Sequence, residues 1–137
     1  MKIVIDTNIL ISYCLGNEDV NYFLNYIFVH KIDVYTDNRL LHEYKTIFNR
    51  KKLNLNPEFK ENLLERISNY FQEIEVHDKS LKFNPDRQDS KIIEIANTAN
   101  CDYIITDDKQ LLRNSTHLTK AKVISSKDFR YLLENMK

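Results

Sequence analysis

Short stretches of β-branched residues alternate with stretches of helical periodicity along the 137 residues of the chain. Residues 3–5 are consecutive β-branched residues, apolar on both faces, which is typical of a short strand inside a parallel sheet. The same pattern predicts further strands over residues 33–36, 73–76, 103–106 and 123–124. Helical spacing and capping residues predict helices over residues 7–15, 18–30, 39–49, 57–71, 90–100, 109–113 and 126–136.

Strands and helices follow each other in alternation. This order predicts an α/β fold, a three-layer α/β/α sandwich around a central, mainly parallel sheet of about five strands. The least patterned stretch, residues 79–88, is predicted to be a loop. No internal repeat, low-complexity segment or linker divides the sequence, so residues 1–137 are expected to form a single domain.

Composition and charge narrow the classes of protein that fit. Twenty basic and twenty acidic residues cancel, so the bulk charge does not indicate a nucleic-acid-binding protein, although a local acidic pocket beside a basic rim is compatible with it. The single glycine excludes a glycine-rich phosphate-binding loop. Cys14 and Cys101 are isolated, which favours a reducing compartment and predicts a cytoplasmic protein. No apolar run has the length of a membrane span, so no membrane association is expected.

Four acidic residues occupy positions that a parallel sheet would bring to one edge. Asp6 follows the first predicted strand and Asp108 follows the fourth. Glu43 lies on the helix after the second strand, at the border of its apolar stripe, and Asp89 precedes the helix that leads into the fourth strand. Because the strands of a parallel sheet point the same way, these four side chains can converge outside the carboxyl ends of the strands.

Converging carboxylates repel one another unless a cation neutralises them. Oxygen ligands without His or Cys nearby favour Mg²⁺ or Mn²⁺, and such an ion can activate water and stabilise charge on a phosphoryl group. The residues therefore indicate an acidic metal site and phosphoester chemistry, without selecting a substrate. The alternative interpretation, in which an acid is a helix cap or a solvated helical residue, suits any one of the four more readily than all of them.

Four segments of the sequence, taken in order, resemble the PIN domain family. These segments are Ile5 to Leu10, Leu40 to Tyr44, Asp89 to Ile92 followed by Glu94 and Ala96, and Asp102 to Lys109. The resemblance covers nearly the whole chain and is strongest to the branch related to the VapC ribonucleases, which are toxins of toxin–antitoxin systems.

The resemblance implies an endoribonuclease that depends on Mg²⁺ or Mn²⁺. Its catalytic and metal-binding residues would be Asp6, Glu43, Asp89 and Asp108. The implied partners are an RNA substrate, a cognate antitoxin protein that blocks the acidic groove, and a second copy of the chain in a homodimer. The aromatic residues of the helices at 18–30 and 57–71 could form the dimer surface or pack in the core.

Five further residues receive expected roles around the acidic quartet. By the resemblance, Asn8 would order the site through its side-chain amide, and Thr106 or Asp107 would support the fourth acid. Lys91 and Lys109 stand nearest in sequence to the proposed ligands, so they are the favoured candidates for contacting substrate phosphates.

Two other functions share parts of this pattern. A structure-specific DNA nuclease of the flap type has the same arrangement of acids, but such enzymes carry additional DNA-clamping segments for which 137 residues leave no room. A non-catalytic PIN-like module that binds RNA or protein would be expected to lack one of the four acids, and all four are present.

Overall fold

The computed structural model describes residues 1–77, 88–115 and 117–136, and of Gln88 and Asp89 it describes the backbone alone. Nearly all of the loop predicted over residues 79–88 therefore lies outside the described residues. Within the described ranges, no helix is both long and apolar enough to cross a lipid bilayer.

The described part of the chain contains one sheet of five parallel strands, in the order β3-β2-β1-β4-β5. The strands are β1 (Lys2–Ile5), β2 (Asp33–Thr36), β3 (Gln72–Glu73), β4 (Tyr103–Ile105) and β5 (Lys122–Ile124). β1 is central, and its Ile3 pairs with Val34 on one side and with Tyr103 on the other. The side chains of β1 from Ile3 to Ile5 are fully buried, as its continuous apolar sequence requires. The predicted α/β/α fold around a parallel sheet is confirmed.

Helices connect these strands at close to the predicted bounds. They are α1 (Thr7–Cys14), α2 (Glu18–His30), α3 (Asn38–Phe48), α4 (Pro57–Tyr70), α5 (Gln88–Ala99), α6 (Lys109–Asn114) and α7 (Ser126–Glu134), with a short 3₁₀ helix at Lys51–Leu53. Several begin at a polar side chain that accepts a hydrogen bond from an amide of the first turn, namely Asn17, Asp37, Asn56, Asp108 and Ser125. These caps satisfy amides that would otherwise lack a partner inside the helix.

The largest difference from the predicted elements concerns the third strand. The sequence predicts it over residues 73–76, but the structure assigns only Gln72–Glu73 to β3. Pairing continues for one more residue, since the Ile74 amide donates to the Thr36 carbonyl at 2.8 Å. A short edge strand with exposed polar side chains limits pairing with other chains.

Tyr44 joins α3 to the central strand beneath the edge where the acids lie. Its ring is fully buried, as expected for a core residue, and its hydroxyl donates to the Ile5 carbonyl at 2.6 Å. Leu40 and Ile47 bury the same face of α3. This packing fixes the rotation of α3 about its axis, so Glu43, which precedes Tyr44, is directed to the neighbouring face.

The aromatic residues of α2 and α4 divide between the core and the surface. Phe23 is buried and packs edge to face on Phe129 of α7 with ring centroids 5.4 Å apart. Phe28 packs in the same way on Tyr70, at 5.0 Å. Phe59 remains exposed. At least part of the aromatic content that suggested a dimer surface therefore belongs to core packing.

Candidate active site

The acidic residues lie at the carboxyl edge of the sheet, where the strand order reverses. Chain connections from β1 lead first to β2 on one side and later to β4 on the other, so the gap between β1 and β4 is a topological switch point. Asp6 directly follows β1, and its amide donates to the Ile105 carbonyl of β4 at 3.0 Å. One groove at this edge is lined by Asp6, Asn8, Arg39, His42, Glu43, Thr46, Ile47, Arg50, Lys91 and Asp108.

Asp6 is the buried acid of the groove. The residue is only 6% exposed, and the Thr106 hydroxyl donates to its Oδ2 at 2.7 Å. Burial raises the pKa of Asp6, and the negative charges of Glu43 and Asp108 raise it further, against the opposing hydrogen bonds from Thr106 and the Thr7 backbone. An acid in such surroundings ionises more readily when a cation is bound beside it.

Glu43 reaches the groove from α3 and is held at both carboxylate oxygens. The Thr7 hydroxyl donates to Oε1 at 2.8 Å. The ammonium group of Lys91, on α5, forms an ion pair with Oε2. An ionised carboxylate has about four acceptor positions, so these contacts leave capacity for a further ligand.

Thr106 connects the acid of β1 with the acid after β4. Its hydroxyl donates to Asp6 and accepts a hydrogen bond from the Asp108 amide at 3.1 Å. Asp108 in turn caps α6, accepting at Oδ1 from the amides of Gln110 and Leu111 at 2.8 and 3.4 Å. Asp108 is therefore both a helix cap and a residue of the groove, so the two interpretations of this acid are compatible.

The side chain of Asp107 contacts α7, whereas that of Asp108 contacts α6. Asp107 is exposed, and its carboxylate accepts hydrogen bonds from the amide and the hydroxyl of Ser126, both at 2.8 Å. These contacts hold the amino end of α7. The structure thus gives Asp107 a role in attaching α7, and assigns to Thr106 the contact with Asp108.

Replacing Asp107 by Ala is expected to lower the free energy of unfolding by about 1 kcal/mol, because the first turn of α7 loses its acceptor. Affinity for Mn²⁺ should stay unchanged, since the carboxylate is committed to Ser126. Urea unfolding and calorimetric titration with Mn²⁺ measure the two effects. A large loss of metal affinity in this variant would instead place Asp107 in the metal site.

The remaining predicted residues are placed as follows. Asn8 is exposed and lines the groove. Lys109 is exposed at the start of α6 and is not among the residues that line it. Asp89 lies in the first turn of α5 by its backbone, and its side chain lies outside the described residues.

A buried ionic contact that the sequence did not reveal stands beside the groove. Arg39 donates from Nη1 to Glu94 of α5 and from Nε to Asp37, each at 2.8 Å. Both acids are buried, at 5% and 2% exposure. The sequence alone gives no signal for this pairing, because Glu94 shares its helix face with the polar residues Ser90, Lys91 and Asn97 and therefore resembles a solvated residue.

The donor set of the groove fits a hard divalent cation. Its acidic side chains in the described part of the chain, Asp6, Glu43 and Asp108, all supply carboxylate oxygen, which Mg²⁺ and Mn²⁺ prefer. Burial raises the pKa of Asp6, the negative charges of Glu43 and Asp108 add to that effect, and a bound cation would oppose both. Among the described side chains, no three acidic, His or Cys residues lie close enough to hold one ion together.

The parallel sheet and the groove at its switch point define an α/β domain with an acidic site at the carboxyl edge of its sheet. The chain belongs to the PIN domain family, whose model, described as "PIN domain", matches residues 2–110. PIN domains are nucleases, which are a class of hydrolases. No curated protein matches the chain by sequence.

Solved structures with the same fold come from several organisms. The structure of VapBC2 from Rickettsia felis, bound to a DNA fragment from its promoter, matches with a TM-score of 0.63 and 13% identity over 91% of this chain and 98% of that chain. PAE2754 from Pyrobaculum aerophilum matches with a TM-score of 0.61 and 14% identity over 98% and 96%. FitAcB from Neisseria gonorrhoeae matches with a TM-score of 0.55 and 20% identity over 90% and 97%. At these low levels of sequence identity, the similarity shows that the fold is shared and no more than that.

Proposed function

We propose that this protein is a divalent-metal-dependent endoribonuclease that hydrolyses phosphodiester bonds of RNA with Mg²⁺ or Mn²⁺. The observation that carries the proposal is the buried carboxylate of Asp6 at the switch point of the sheet, with Glu43 and Asp108 around the same groove. Nuclease activity follows from the family, and the groove supplies the chemistry that a metal-dependent nuclease needs.

Seven of the predicted site residues have distinct parts in this proposal. Asp6, Glu43, Asp89 and Asp108 would hold the metal, which when bound activates water and stabilises charge on the phosphoryl group. Thr106 keeps the Asp6 carboxylate oriented through its 2.7 Å hydrogen bond. Asn8, exposed at the rim, would order the site through its amide, and Lys109 would contact substrate phosphate from outside the groove.

We further propose that the protein is the toxin of a toxin–antitoxin pair in the cytoplasm, with a small antitoxin as its partner and the homodimer as its assembly. The likeness to the VapBC2 structure from Rickettsia felis and to FitAcB from Neisseria gonorrhoeae supports this proposal. The groove is open to solvent, so a segment of a second protein can reach the acids and block them.

Incubating the purified protein with a mixed-sequence RNA and Mn²⁺ tests the proposal. Cleavage is expected with Mn²⁺ and not with a chelator, and Asp89→Asn is expected to reduce the rate by at least about 100-fold, because an amide is a poorer ligand of a hard cation. Asp102→Asn is the matched control. That acid lies before β4, at the opposite edge of the sheet, where it accepts from the Lys2 amide at 2.9 Å.

The two competing functions give different results in the same experiment. A flap-type DNA nuclease would cut branched DNA in preference to RNA. A non-catalytic module would bind RNA in the presence of Mn²⁺ and leave it intact. Either result contradicts the proposal of RNA hydrolysis.

A further inference from the structure

Two ion pairs of opposite polarity join α3 and α5 beside the acidic groove. α3 carries Arg39 and Glu43, four residues apart, and α5 carries Lys91 and Glu94, three residues apart. Arg39 pairs with Glu94 at 2.8 Å, and Glu43 pairs with Lys91. Since residues three and four apart share one helix face, each helix presents one positive and one negative group to the other.

The ammonium group of Lys91 is held in place and is not free to move through solvent. The Lys91 side chain is only 13% exposed. Its neighbours Ile92 and Ile93 are fixed in the core, and the contact of Glu94 with Arg39 sets the position of α5 along α3. A charge that has lost most of its water needs a partner of opposite sign, and Glu43 provides it.

We propose that Lys91 is a built-in counter-ion of the acidic groove, which competes with a divalent cation for Glu43. This inference rests on the proposed function, because it concerns the metal site of that function. Because the ammonium group is paired with Glu43, a divalent ion would have to displace it before gaining that carboxylate as a ligand. The protein thereby limits the repulsion among its acids when no metal is bound.

This role differs from the one that the sequence suggested for Lys91. A lysine that contacts substrate phosphates would extend toward solvent with its charge unpaired. Here the charge is paired with a proposed metal ligand and largely buried. Removing it should strengthen metal binding, whereas removing a phosphate contact should leave metal binding unchanged.

Calorimetric titration with Mn²⁺ distinguishes these possibilities. Lys91→Met keeps the length of the side chain and removes its charge, so we expect it to bind Mn²⁺ at least about tenfold more tightly, because the ammonium group no longer repels the ion from a few ångströms away. Lys91→Arg keeps the charge and should bind like the wild type. Lys45→Met is the matched control, because Lys45 is exposed on α3 two residues from Glu43 and does not line the groove.

Thermal unfolding supplies a second readout that a purely structural lysine would not produce. In a chelator, Lys91→Met should unfold at a lower temperature than the wild type, because Glu43 is left without its counter-ion. Saturating Mn²⁺ should raise the unfolding temperature of this variant by more than it raises that of the wild type. Lys91→Gln is a second neutral variant that should show the same two effects if Lys91→Met fails to fold.

The outcomes separate this inference from the function on which it rests. Wild-type binding of Mn²⁺ together with equal or weaker binding by both neutral variants would overturn the counter-ion role alone. Equal loss of thermal stability with and without Mn²⁺ would do the same. If neither the wild type nor the neutral variants bind Mn²⁺, the proposed metal site fails, and the inference fails with it.

Discussion

Replacing Asp6 by Asn is expected to weaken Mn²⁺ binding by about 100-fold or more and to reduce RNA cleavage to a similar extent. Asn has the shape of Asp and keeps an oxygen that can accept the 2.7 Å hydrogen bond from Thr106. The variant therefore removes the negative charge and leaves the fold in place. Calorimetry with Mn²⁺ and the RNA cleavage assay measure the two losses.

The same substitution should leave the metal-free protein at least as stable as the wild type at neutral pH. Burial raises the pKa of Asp6, so its ionised form is less favourable in the folded chain than in the unfolded chain. A group whose pKa is higher in the folded chain than in the unfolded chain contributes its full stabilisation when the pH is below its pKa in the unfolded chain. This contribution is lost as the pH rises through its pKa in the folded chain. Asn does not ionise and avoids that loss.

Urea unfolding in a chelator, followed from acidic to neutral pH, tests this second expectation. The stability of the wild type should fall relative to that of Asp6→Asn as the pH rises. Asp102→Asn, at the opposite edge of the sheet, should leave the metal affinity unchanged. Unchanged Mn²⁺ affinity in Asp6→Asn, or lower stability of that variant without metal, would show that Asp6 is a structural acid.

The central strand and its acid were predictable because local sequence determines them. The apolar run from Ile3 to Ile5 suits only a strand that is buried on both faces, and the next residue must then stand at the carboxyl edge of the sheet. The same reasoning applies to β4 and the residues that follow it. The first residues of helices were also predictable, since caps such as Asp37 and Ser125 are local signals.

The partners of the polar side chains were not predictable in the same way. Lys91 and Glu43 are 48 positions apart, and their pairing depends on how far α5 is shifted along α3. Neighbouring acids can also point to different elements, as Asp107 and Asp108 do. Side-chain direction at the end of a strand depends on tertiary packing, which the pattern of apolar positions does not contain.

Outside the four proposed metal ligands, we expect the largest loss of stability on replacing Arg39. Arg39→Met would leave Asp37 and Glu94 buried without their positive partner. We therefore expect the free energy of unfolding to fall by about 3 kcal/mol. This value is at the lower end for a broken buried ion pair, because the Arg39 side chain is 30% exposed. Urea unfolding in a chelator measures this loss. Arg130→Met is the control, since Arg130 also pairs with two acids, Asp19 and Glu134. These partners are more exposed, so this variant should lose much less stability.

A second substitution at Glu94 separates charge from packing as the origin of that loss. In Arg39→Met/Glu94→Leu the buried carboxylate is gone along with its partner, so the double variant should be more stable than Arg39→Met alone. A double variant that is less stable than Arg39→Met would contradict this account and would show that the pair contributes through packing. In either case α3 and α5 lose the contact that aligns Glu43 with Lys91, so Lys91→Met should change the Mn²⁺ affinity by less when Arg39 is also replaced.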